Sequence, residues 1–245
     1  MRWIATAGVL GTILITAIVC APASWLGDLI EARSPVRLVY AAGTVWNGSA
    51  LLALSDGQQA RLVPGRVAWR VEWPQVLSRR IVMAVSHAAA DSAITIGFDG
   101  RALHIAAAEA RVPAALLSVL GAPFNTMRPG GKLYVHWDAL EIRRDGFDGS
   151  IAVDWEQAQS ALSPVAPLGN FRMMARGHGA RSQVKLTTLK GPLLIEGDGS
   201  LENGTMRFRA TAGAEPAMRA SLTGLIAVLG RRNGDQAVFN WESQK

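Results

Sequence analysis

The sequence is poor in the residues that most catalytic and metal chemistry draws on. Its 245 residues include one cysteine and four histidines. Cys20 alone cannot form an intramolecular disulfide, and a cysteine-based zinc site is excluded. His87, His104, His136 and His178 lie far apart, with no H-x-x-x-H or HExxH spacing. A metal site would have to be assembled wholly by folding, and satisfied or solvated histidines are the favoured reading. No G-x-S-x-G elbow, GxxxxGKS/T loop or strand-linked GxGxxG is present, and GHGA at 177–180 reads as a loop. No residue is assigned to catalysis, to a cofactor or to a metal.

Charge is scarce as well. Charged residues make up 18% and hydrophobic ones 49%, a balance that suits a membrane-linked or well-buried protein and excludes disorder as the default. The formal charge of +6 comes almost entirely from arginine over acid. The arginines are scattered singly or in pairs (Arg79 and Arg80, Arg143 and Arg144, Arg231 and Arg232), without the basic stripe that nucleic acid requires. Asp138, Glu141, Asp154 and Glu156 lie near one another in sequence, so a paired-carboxylate arrangement stays open, although strand alternation places them on a solvent face. The NGS sequon at 47–49 is common by chance and is discounted.

What the chain does have begins at its amino terminus. No charge occurs from Trp3 to Gly27, and WIATAGVLGTILITAIVCA is 19 residues long. At about 1.5 Å per residue this run spans roughly 28 Å, enough to cross a bilayer. Its expected membrane contacts are Trp3, Ile4, Val9, Leu10, Ile13, Leu14, Ile15, Ile18, Val19 and Trp25. The rival reading is a cleaved signal peptide with APA at 21–23 as the small-x-small site. Run length and the bracketing Trp3 and Trp25 favour retention. The expected layout is a cytoplasmic start and anchor at 1–27, then a translocated domain at 28–245.

Beyond Pro35, short segments rich in β-branched and aromatic residues alternate with period two, as in Leu133, Val135, Trp137 and in Ile151, Val153, Trp155. Asp-Gly and Asn-Gly pairs at 56, 99, 145, 148, 198, 203 and 233 suit hairpin turns. An antiparallel β protein is expected. PAALLSVLG (113–121) and PAMRASLTGLIAVLG (216–230) each open on proline and stop at glycine, which reads as two short helices on the sheet. Their surroundings match loosely, each helix leading through a glycine turn to a strand that ends in Trp137 or Trp241. Two repeated units, at about 36–140 and 141–245, follow as an expectation.

A family resemblance rests on particular stretches. A single amino-terminal span, GTVWNGSA (43–50), PLGNFR (167–172) and the block LKGPLLIEGDGSLENGTMRFRATAGAEPAMRASLTGLIAVLGRRNGD (189–235) together resemble the type II secretion system protein N family. The residues carrying it are Gly43, Val45, Trp46, Gly48, Gly191, Gly197, Gly199, Gly204, Pro216, Leu229, Gly230 and Gly234. The resemblance implies a non-enzymatic protein held in the inner membrane of a Gram-negative cell by one helix. Its β domain would lie in the periplasm and meet the inner-membrane platform and the bitopic connector protein. The domain is also similar to the curved, half-barrel-like sheets of lipid-transfer bridge proteins, so a lipid or hydrophobic-ligand carrier is the alternative. GTVWNG itself reads as a strand between two glycine bends, with Val45 and Trp46 on opposite faces and Trp46 covering the start of the sheet core.

Overall fold

Period-two alternation builds a strand in nearly every segment where the sequence carries it, and hairpin connections join those strands into one antiparallel ladder. The computed structural model describes residues 16–32, 34, 36–55, 60–73, 80–121, 124–202 and 205–243. Its strands are β1 (Val36–Gly43), β2 (Asn47–Ser55), β3 (Ala60–Val71), β4 (Ile81–His87), β5 (Ile94–Phe98), β6 (Leu103–Ile105), β7 (Ala108–Pro113) and β8 (Pro129–Trp137). The series continues with β9 (Leu140–Arg143), β10 (Gly146–Ser160), β11 (Gly169–His178), β12 (Arg181–Lys190), β13 (Leu193–Glu202), β14 (Thr205–Ala214), β15 (Arg231–Asn233) and β16 (Gln236–Ser243).

The order across the sheet is β1-β2-β3-β4-β5-β6-β9-β10-β11-β12-β13-β14-β16-β15, with β7 pairing β8 and β8 pairing β10. The 15-residue β10 links the two parts. Its first residues pair with β9, while Ile151 to Ser160 lie between β8 and β11. No pairing joins β1 to β15 among the described residues, so no barrel closure imposes curvature. The sheet is not strongly curled, and the half-barrel expected from the resemblance gives way to a large open antiparallel sheet.

Three of the expected turns form where the dipeptides stand. Asp99-Gly100 joins β5 to β6, Asp145 precedes β10, and Gly234 joins β15 to β16. Asp56-Gly57 and Asn203-Gly204 lie outside the described residues. Asp148-Gly149 and Asp198-Gly199 are not turns but strand positions in β10 and β13. There Asp148 accepts bonds from Arg143 and from the Gly179 amide, and Gly199 leaves room for the Phe208 ring, so their neighbours hold both pairs extended.

The first expected helix lies in the connection from β7 to its antiparallel neighbour β8, and the second in the connection from β14 to β15, which flank β16. Ala114–Leu120 is a 3-10 helix rather than an α-helix and packs on β8, followed by the four-residue helix Phe124–Met127. Pro216–Met218 opens the second connection and Arg219–Leu229 continues it as an α-helix. That helix buries Leu222, Leu225 and Ile226 against Phe171, Leu193 and Ala237, which makes the larger of two core clusters. The smaller cluster gathers Ala23, Ala50, Val67 and Trp69.

Trp3, Ile4, Val9, Leu10, Ile13, Leu14 and Ile15 of the expected anchor lie outside the described residues. Residues 16–19 are helical, and no helix among the described residues is long and apolar enough to cross a membrane. A second helix, Ser24–Glu31, lies against β1. Its Gly27 sits close to Leu38, where a Cβ would already be in contact, and Glu31 pairs with Arg37 at 2.6 Å.

Candidate interaction surface

GTVWNG forms the tight connection between β1 and β2, not a strand, which corrects the expectation for this stretch. Gly43 and Gly48 face each other as the last pair of that hairpin. Gly43 has φ +90°, a conformation open to glycine, and a Cβ on Gly48 would stand 2.6 Å from Trp69 Cζ2 and 2.7 Å from the Ala42 carbonyl oxygen. Trp69 fills the space beneath the turn. It is 4% exposed, and its Nε1 donates to the carbonyls of Val45 (3.0 Å) and Thr44 (3.3 Å). Trp69, rather than Trp46, therefore covers the start of the core.

Trp46 faces the other way. Its Nε1 donates to the Ile18 carbonyl at 2.7 Å, and its ring meets Trp73 with centroids 4.4 Å apart. The turn's backbone adds three further links to the same segment. The Val45 amide donates to Ala21, the Ala23 amide donates to Gly43, and Pro22 bridges Thr44. The end of the apolar run is thus bonded to the first hairpin through both side chain and main chain.

The remaining signature residues are spread along the sheet. Gly191 lies in the turn between β12 and β13, Gly197 and Gly199 lie within β13 against Phe208, and Pro216 opens the second helical connection. Leu229 ends that helix against the larger core cluster, Gly230 follows it, and Gly234 turns β15 into β16. Gly204 lies outside the described residues. Ile18, Val19 and Trp25 are 47%, 49% and 58% exposed. Trp69 and Trp73, which the sequence shows only as aromatics of RVAWRVEW, are the residues that sequence reasoning missed; two tryptophans four residues apart were the available signal.

Cross-strand register sorts the second part of the sheet into two unlike faces. One face carries a row from Leu133 through Trp155 and Phe171 to Ala237, beneath the helix Arg219–Leu229. The next row on that face includes Val135, Val153, Met173, Leu186, Ala210 and Phe239. The third includes Trp137, Ile151, Ala175, Val184, Phe208 and Trp241. Most members of these outer rows are only half-buried, and Met173 and Trp241 are 39% and 45% exposed. The opposite face is charged, with Arg172 forked onto Asp154 at 2.6 and 2.8 Å and Arg207 bonded to Glu242 at 3.1 Å. Asp154 and Glu156 point to this polar face, while Asp138 contacts Ser150, so the four carboxylates do not converge.

In the first part, a groove of about 580 Å³ opens beside the strand breaks at 106–107 and 138–139. His104 bonds Asp99 at 3.1 Å, and Arg143 bridges Glu141 and Asp148 at 3.0 and 2.8 Å. The amides of Ala102 and Arg101, with the His104 ring, hold the Asp99 carboxyl well below the usual range. Glu141, with help from Asp148, raises the Arg143 guanidinium above its ordinary value. These ionisable groups are engaged with one another, and the lining contains no serine or cysteine nucleophile. Among the described residues, no group of three or more His, Cys, Asp or Glu is placed to hold a metal.

The model of the type II secretion system (T2SS) protein N family matches residues 34–239. The chain belongs to that family. Membership gives this T2SS protein N family member a role in type II secretion, as a structural component of that system, and a place in the cell envelope. The matched span takes in the Gly43 to Gly48 turn, both helical connections and the first half of β16. No curated protein and no solved structure matches the chain.

In this T2SS family member the fit of Gly48 against Trp69 sets a measurable cost. Gly48→Ala should lower unfolding stability by about 1–3 kcal/mol through overpacking. A urea midpoint and the near-ultraviolet signal of Trp69 report it; a variant with both unchanged contradicts the close contact.

Proposed function

We propose that the chain is a non-enzymatic, membrane-anchored component of the type II secretion apparatus, with its sheet in the periplasm and protein contact as its mode of action. The family match over 34–239 is the observation that carries this reading. The anchor is supported by the apolar run from Trp3 to Ala21 and by the bonds that tie its last residues to the first hairpin. Platform and bitopic connector proteins of the apparatus are the proposed partners, met at strand edges or on the open sheet face. The two-unit organisation belongs to the same proposal. It is supported by the Pro113 and Pro216 connections, each of which leads from one strand to the next in the chain by way of a helix.

The experiment is an exchange of anchors. Replacing residues 1–21 by a cleavable signal peptide should leave a folded, soluble domain in the periplasm and abolish secretion of the apparatus's substrates. Secretion at the normal level from that strain would refute the need for tethering.

The two outer apolar rows favour a second reading, a carrier that shelters lipid or another hydrophobic ligand on that face. Side chains this apolar and this open are usually covered by something. Native mass spectrometry of the detergent-extracted, full-length chain should then show a co-purified lipid at stoichiometric level. A clean apo mass would count against it.

A further inference from the structure

The anchored reading leaves open how the domain sits relative to the bilayer, and the neighbourhood of the first hairpin bears on that question. We propose that Trp46 and Trp73, with the outer face of helix Ser24–Glu31, form a docking surface that lies in the headgroup layer of the membrane holding the anchor. This inference rests on the anchor being a retained span.

The position of the chain's apolar run is the first argument. Counted from Trp3, a helical run reaches Ala21 at about 28 Å, so residues 18–21 belong at its far interface. Residue 18 is also where the domain begins to bind, because the Ile18 carbonyl accepts the Trp46 indole N–H at 2.7 Å. The same carbonyl also accepts from the Ala21 amide at 3.3 Å, so the indole adds a second, shorter bond to the last turn of the run. Trp46 and Trp73, whose rings meet at a tilt of 37°, are therefore held at the level where the run leaves the hydrocarbon. Indole rings favour that level because an apolar body and a polar N–H match the two sides of the boundary.

The second argument is the pattern of the helix that follows. Leu26, Gly27 and Ile30 turn toward β1 and are buried or half-buried. Trp25 and Leu29, four residues apart, share the other side at 58% and 54% exposure. A helix that packs on its own domain with one stripe and exposes a second apolar stripe beside a membrane exit has a bilayer surface as its natural cover. Ile18 and Val19, at 47% and 49%, and Trp73, at 46%, extend the same exposed apolar ground. Trp25 and Leu29 follow Ala21 by four and eight residues, and Trp73 meets the ring of Trp46, which is bonded to Ile18.

The test uses the full chain in vesicles of phosphatidylethanolamine and phosphatidylglycerol doped with lipid brominated near the headgroup. In a Trp3→Phe, Trp25→Phe background, further replacement of Trp46 and Trp73 by Phe should cut the bromine-quenched fluorescence by about twofold or more. Unchanged quenching overturns the proposal. Because Trp46→Phe also removes the hydrogen bond to Ile18, a second variant leaves that residue in place. Cys20→Ser with Trp25→Cys carries an environment-sensitive fluorophore that should shift to the blue in vesicles, while the same label at Trp241→Cys should stay at its aqueous wavelength. A Trp25 label at the aqueous wavelength overturns the docking surface. Alkaline carbonate extraction separates the two claims. A chain that washes off the vesicles removes the anchor and the inference together, whereas a chain that stays, without quenching or shift, removes the docking surface alone.

Discussion

One backbone ladder governs this molecule. Among the described residues, neighbouring strands pair from β1 to β15 without closing on themselves, so between its bulges the period of two fixes which side chains share a face. A sheet this wide has far more surface than its helices can cover. Arg219–Leu229 and Ala114–Leu120 shelter parts of one face, and the half-buried rows of Val135 and Trp137 run beyond them. The architecture thus makes a surface in excess of what the fold itself consumes. That excess fits a component of an assembly better than a closed enzyme.

The first hairpin converts this general property into a position. Two glycines let the turn close over Trp69, and the same turn sends Trp46 outward to the end of the apolar run. Small changes there act on two levels at once. A bulkier residue at Gly48 displaces a core indole, and through the shared turn it shifts the group that holds the Ile18 carbonyl. The charged face contributes less. Its ion pairs are exposed, and such pairs are worth little individually, so they favour solubility and register over stability.

Much of the fold was legible because its signals were local. The alternation at Leu133, Val135 and Trp137 and the Asp145 turn each depend on neighbours a few residues away. Asp148-Gly149 and Asp198-Gly199 misled because the same dipeptide can sit in a strand when a distant partner holds it, as Gly179 and Phe208 do. The role of Trp46 was illegible for the same reason. Its partner, Ile18, is 28 residues away, and nothing in GTVWNG distinguishes an indole that packs on the core from one that reaches back to the entering chain. Curvature was also beyond reach, since it depends on closure between strands at opposite ends of the sequence.

The central claim is that this chain serves export through the outer membrane. It is tested most directly by the distribution of secreted hydrolases between periplasm and medium in a strain lacking the protein, measured together with outer-membrane permeability. The account predicts that the hydrolases accumulate in the periplasm behind an intact envelope. Normal export across a leaky envelope would contradict it.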